Sequence, residues 1–133
     1  MEPKNKLSMA EEIGILLDLS FPFDEEDFIQ NFMFLIRKDN ANNVITITDW
    51  EVTSSSIASP EISTLIDYLL DLELIEYSSN PGYRLTEKGK KVLLTDIPID
   101  TRKEYIENCN KVVTLGTKKE IAKVAKKQYF ESL

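Results

Sequence analysis

Ser59 and Pro60 open the stretch that most limits what this chain can fold into. A hydroxyl residue at the N-cap followed by proline at the first helical position is a favoured helix start, because the N–H that proline lacks would be left unpaired there anyway. Ile62, Leu65, Ile66, Leu69 and Leu72 then recur at three- and four-residue spacing, which puts them on one helical face. Leu74-Ile75-Glu76-Tyr77 reads as a strand, Asn80-Pro81-Gly82 as a turn and Tyr83-Arg84-Leu85 as the returning strand. Thr86 caps a further helix running through Lys91 to about Leu94. Upstream, Val44-Ile45-Thr46-Ile47 is a β-branched run long enough for one strand. Thr48-Asp49-Trp50-Glu51 has the capping-box pattern, which predicts a short helix ending in the turn Ser54-Ser55-Ser56. Trp50, at its start, reads as a core or rim anchor.

The flanks are helical by the same criteria. Ser8 and Glu11 form a capping box, and Ile13, Leu16 and Leu17 share a face, so a first helix is expected over about 9–19. Phe21-Pro22-Phe23 breaks it. Asp24 is placed to cap a second helix reaching Lys38, with Glu25, Glu26 and Asp27 in the first turn and Arg37 and Lys38 in the last, the order the helix dipole favours. Phe28, Phe32 and Leu35 form one apolar stripe on it, and Ile29, Met33 and Ile36 another. A helix apolar on most of its circumference is buried, and a second subunit is the expected cover for one of the stripes. Thr101/Glu104 and Thr117/Glu120 are two more capping boxes, separated by Gly116, and predict two terminal helices. Their apolar positions are Tyr105, Ile106, Cys109, Val112 and Val113, then Ile121, Val124, Ala125 and Tyr129.

The 133 residues suit one domain, with N-terminal helices over 9–38, a core over 43–94 and C-terminal helices over 101–131. With one cysteine, Cys109, and no histidine, the chain has no internal disulfide, no Cys/His zinc site and no imidazole base. Ser54-Ser55-Ser56 lacks a base and a glycine elbow, and there is no glycine-rich phosphate loop. Acids 24–27 are explained by the helix dipole and do not converge as metal ligands. Neither catalysis nor a cofactor or metal is therefore expected. The apolar run Ile13–Leu19 is interrupted by Asp18 and is too short to span a bilayer, and no basic leader precedes it, so a cytoplasmic protein without membrane contact is expected.

Strand, short helix, turn, longer helix, hairpin and helix, in that order, is the topology of a winged helix-turn-helix. The expected fold is thus mainly α with a small β-hairpin wing, a winged helix-turn-helix core flanked by N- and C-terminal helices. Ile62-Ser63-Thr64-Leu65-Ile66-Asp67-Tyr68-Leu69, then Leu74-Ile75-Glu76, then Tyr83-Arg84-Leu85-Thr86-Glu87-Lys88-Gly89-Lys90 resembles winged-helix regulators of the MarR and PadR type. A weaker similarity, from Ser59 to Gly89 and on into a lysine-rich terminal helix, is to antitoxin-like winged-helix proteins that grip another protein. The resemblance to the regulators implies a dimer formed through terminal helices and a longer helix that reads DNA.

Charge divides these implications. Residues 1–100 carry 19 acids and 8 bases, and residues 101–133 carry 4 acids and 8 bases, within a net charge of −7. The outward positions of the longer helix are Glu61, Ser63, Thr64, Asp67, Tyr68 and Asp71, with no cation among them. Carboxylates facing phosphates repel, so this is a poor groove-reading surface. The primary expectation is a non-catalytic regulatory protein that binds another, possibly basic, protein through Glu61, Thr64, Asp67, Tyr68 and Asp71. The alternative is a dimeric DNA-binding regulator contacting phosphates through Arg84 of the wing, Lys88 of the helix behind it and Lys119, Lys123, Lys126 and Lys127 of the terminal helix. The favoured reading of those terminal lysines is the solvated face of an amphipathic helix, and a dock for an acidic surface, including that of a partner subunit, is the remaining one.

Overall fold

The computed structural model describes residues 6–19, 21–40, 44, 47–52 and 56–133, with only the backbone of 38–40. The element order is α1 (Met9–Asp18), α2 (Glu26–Asn40), β1 (Glu51–Val52), β2 (Ile57–Ala58), α3 (Pro60–Asp71), β3 (Ile75–Tyr77), β4 (Tyr83–Leu85), α4 (Glu87–Leu94), α5 (Ile99–Val113) and α6 (Lys118–Glu131). The fold is mainly α with a small β-hairpin wing, β3–β4, and a second antiparallel pair, β1–β2.

Four of the expected helix starts are built as the sequence reads. Ser8 and Glu11 close a reciprocal capping box, as do Thr117 and Glu120. The Ile62 N–H donates to Ser59 Oγ at 3.4 Å, and the Gly89 N–H to Thr86 Oγ1 at 2.9 Å. Two other starts differ. α5 begins at Ile99, with Pro98 as the cap and no side-chain cap hydrogen bond, so Thr101 lies inside the helix. α2 begins at Glu26, and the Asp24 carboxylate accepts instead from Lys118 Nζ at 2.5 and 2.6 Å.

The short helix expected after Thr48 is not formed. Residues 48–50 are irregular, and Glu51 and Val52 pair with Ala58 and Ile57 as strands; 53–55, with the start of the expected serine turn, lie outside the described residues. The Asp49 carboxylate, inside the expected Thr48/Glu51 capping box, accepts from Ser59 Oγ and from the Glu61 N–H (3.2 Å), so it ties down the start of α3. Glu51 to Ile57 is also rich in β-branched and serine residues, which are poor helix formers. Of the strand expected at 44–47, residues 45 and 46 lie outside the described residues; Val44 makes a parallel bridge to Leu7, and Ile47 is buried.

α2 is the spine of the core. Both of its apolar stripes are buried, from Phe28 and Phe32 to Ile29, Met33 and Ile36. Their cover comes from the same chain: α5 and α6 pack on α2, with Tyr105, Cys109, Ile121 and Ala125 fully buried. The apolar surface that suggested a second subunit is therefore satisfied within one chain. Phe21, Phe23, Phe28 and Phe32 form an aromatic cluster with ring centroids 5.0–5.7 Å apart. α2 also fixes α3 through Gln30, which is fully buried: its Oε1 accepts from the Ser59 N–H (2.9 Å) and its Nε2 donates to Ser59 O (3.2 Å). Trp50 is half-buried, edge-on to Phe34 at 5.0 Å.

Candidate functional site

α3 turns Ile62, Ile66 and Leu69 into the core, and its opposite face is left to solvent. Glu61, Thr64, Asp67, Tyr68 and Asp71 are all exposed, and Tyr68 keeps 58% of its surface. Ser63 does not belong with them. It is half-buried, donates to the Glu26 carboxylate and accepts from Gln30 Nε2 at 3.1 Å, so it faces α2. Beside the exposed face runs a shallow groove of about 510 Å³, walled by Met9, Pro60, Leu65 and Tyr68 with Asp49 and Glu61 at its edge. The surface thus offers an apolar notch among carboxylates. Hydrogen bonds from Leu74 N to Leu69 O (3.0 Å) and from Glu73 N to Leu70 O (3.0 Å) end α3, and Glu73 takes the left-handed conformation (φ 62°) that this ending needs.

The hairpin β3–β4 carries one acid and one cation, and these pair with each other. Arg84 Nη2 donates to Glu76 Oε2 on the paired strand at 2.7 Å. Lys88 Nζ donates to Leu72 O at 3.1 Å, where a cation complements the carbonyl end of α3. The wing is also fastened to the body. The Tyr83 N–H donates to Phe23 O at 2.8 Å, and a Cβ on Gly82 (φ 117°) would sit 2.4 Å from Asp24 Cα. Tyr77 and Tyr83 pack at 4.8 Å, with Tyr77 53% exposed. Burial, and then the charge of Glu26 and the proximity of Tyr77 and Asp67, push the Tyr83 hydroxyl above its ordinary pKa.

The terminal lysines lie elsewhere. Lys119, Lys123 and Lys126 line a groove of about 620 Å³ between α6 and the start of α2, whereas Lys127 does not. At about 100° per residue, positions 119, 123 and 126 fall within an arc of about 60°, and 127 lies about 40° beyond it. Phe28 and Ala122 supply apolar wall, and Asn31 and Ser56 supply buried polar groups, the Ser56 hydroxyl donating to Asn31 Oδ1 at 3.0 Å. Glu25 and Asp27 also line the groove. The Lys118 hydrogen bond holds the Asp24 carboxyl below its ordinary range, while burial, and then the Glu25 and Glu26 charges, raise Asp27. Among the described residues neither Lys119 nor Lys123 is in an ion pair.

Comparison of the chain with protein-family models, curated proteins and solved structures finds no match.

The structure brings together one constellation that the sequence reading did not single out. Glu12 of α1 is fully buried; it accepts from Arg37 of α2, and its Oε1 accepts from the Tyr105 hydroxyl of α5 at 2.8 Å. Burial raises the Glu12 carboxyl from 4.5 to about 7, against the opposing pull of Arg37 and Tyr105. The Tyr105 hydroxyl is raised well above its ordinary value by burial first, and the Cys109 thiol, also buried, is pushed up to about 12. In the sequence Glu12 stands between Glu11 and the apolar run Ile13 to Leu17, and its place at the edge of that run was the available signal. Among the described residues no cluster of three or more His, Cys, Asp or Glu side chains is arranged to hold a metal ion, and no helix is long and apolar enough to cross a membrane.

Proposed function

We propose that the chain is a non-catalytic winged-helix regulatory protein that binds a basic partner protein through the outward face of α3. The observation that carries this reading is the charge state of that face. Glu61, Asp67 and Asp71 are exposed around Tyr68, and the candidate cations Arg84 of the wing and Lys88 of α4 are already engaged, Arg84 by Glu76 and Lys88 by Leu72 O. An exposed aromatic beside an apolar notch is the usual anchor of a protein interface, and the ring of acids selects a partner of opposite charge. A DNA duplex meets the opposite of what it needs there, because each phosphate contact depends on a cation that displaces counterions.

The unpaired Lys119 and Lys123, with Lys127, favour the alternative of phosphate contact from α6. Glu25 and Asp27 line the same groove as Lys119 and Lys123, so a polyanion laid along it meets carboxylates as well as ammonium groups. The protein-binding reading is the better supported.

Tagged protein captured from its native cells should retain a basic partner at low salt, and lose it in the charge-reversed variant Asp67→Lys/Asp71→Lys and in Tyr68→Ala. Lys119→Glu/Lys123→Glu should retain it. A gel shift on genomic DNA that survives the α3 changes and disappears with Lys119→Glu/Lys123→Glu would overturn the reading.

A further inference from the structure

The α2–α6 groove is not used by the α3 surface, and its chemistry points to a different ligand. Its volume, about 620 Å³, lies in the range of small-molecule sites, which are mostly apolar with a few polar groups that fix orientation. Phe28 and Ala122 give it apolar wall, extended by the methylene stems of the lysines. Asn31 and Ser56 also line the groove, but both are buried and the Ser56 hydroxyl donates to Asn31 Oδ1, so the charged recognition is left to the lysines. Lys119 and Lys123 bring ammonium groups that no carboxylate of the described residues neutralises. Lys118 is held apart by Asp24 and lies 5.7 Å from the centre of the Phe28 ring.

We infer that this groove is a binding site for a small amphipathic monoanion, its apolar body against Phe28 and Ala122 and its acidic head on Lys119 and Lys123. Glu25 and Asp27 decide against larger anions. An acidic peptide or a nucleic-acid strand is charged along its length and cannot keep every charge away from those two carboxylates. A ligand with a single charge at one end can place that end on the lysines alone. The site is independent of the α3 surface, and either can be wrong without the other.

The naphthalene sulfonate dye ANS is a suitable probe, because it is an amphipathic monoanion whose fluorescence rises in apolar surroundings. Its uncharged analogue, N-phenyl-1-naphthylamine, controls for apolar affinity alone. ANS should bind the full chain saturably at one site, be displaced by decanoate but not by decanol, and bind Lys119→Gln/Lys123→Gln about tenfold more weakly, the loss expected for one charge-assisted hydrogen bond. Lys127→Gln, outside the groove, should bind as the parent does, and all three proteins should melt alike by circular dichroism. Equal binding of the neutral dye, an unchanged dissociation constant in Lys119→Gln/Lys123→Gln, or displacement by poly-glutamate or a DNA oligonucleotide more readily than by decanoate would each overturn the assignment.

Discussion

Replacing Glu12 by glutamine separates two accounts of the contact between α1, α2 and α5. If the Glu12–Arg37 pair acted mainly as a stabilising ion pair, the folded state would favour the carboxylate, gain stability as pH rises towards 4.5 and hold it unchanged above that value. Burial dominates instead, and the folded carboxyl titrates near 7. A group raised in the folded state supports folding fully below its unfolded pKa, and that support is lost as pH climbs to the folded value. At about 1.4 kcal/mol per pH unit, the gap between 4.5 and about 7 amounts to about 3 kcal/mol lost across that window, with little further change above it. Glu12→Gln does not titrate, so it should lack this slope. At pH 5 the folded parent carries a protonated, neutral carboxyl there, which the amide mimics, so exchanging the O–H for an NH2 beside Tyr105 and Arg37 adds only an offset that does not change with pH. Urea unfolding of parent and variant at pH 5 and pH 8 cancels the offset: the parent's advantage over Glu12→Gln should shrink by roughly 2–3 kcal/mol between those two values. An advantage that is flat, or that grows with pH, would refute the dominance of burial and restore the ion pair as the main effect.

Two further outcomes follow from local geometry. Glu73 holds a left-handed conformation (φ 62°) at the end of α3, so Glu73→Gly should raise stability by about 0.5–1 kcal/mol in thermal or urea unfolding, the relief of the side-chain clash outweighing the added freedom of the unfolded chain. Burial of Cys109 keeps its thiol protonated and out of reach, so Ellman's reagent should be inert towards the native protein at pH 8 and titrate one thiol per chain in guanidinium.

Much of this architecture is legible in the sequence because it is local. Capping residues contact the backbone three positions on, and helical spacing decides which side chains share a face, so α1, α3, α4, α6 and the wing follow from short windows of sequence. Apart from the start of α5, two residues ahead of the expected Thr101 cap, the failures are long-range. Thr48 and Glu51 fit the capping box of a short helix by pattern, yet Glu51 pairs with Ala58 as a strand and the Asp49 carboxylate is taken by Ser59 and Glu61, ten and twelve residues on. Gln30 reads as an ordinary polar position on α2, and its role appears only when Ser59 arrives to bond both ends of its amide. Glu12 looks like a second first-turn acid beside Glu11, and Tyr105, 93 residues away, makes it a buried one. The doubly apolar α2 is read correctly as buried, but periodicity cannot say whether its cover comes from the same chain or another.

That last point bears on the charge asymmetry. A basic tail and an acidic body suggest attraction between subunits, and here the two meet within one chain: Lys118 pairs with Asp24, and Arg102 Nη2 lies 2.5 Å from Asp18 Oδ2. Both contacts are partly solvated, and such pairs contribute little stability. Their effect is on what remains. They neutralise acids at the α1–α2 end of the molecule, and none of them reaches α3, where Glu61, Asp67 and Asp71 keep their charge in solvent around Tyr68. α3 therefore presents an outer face of three exposed carboxylates around an exposed aromatic ring. The position of the uncompensated acids, more than the net charge of −7, argues for the partner proposed.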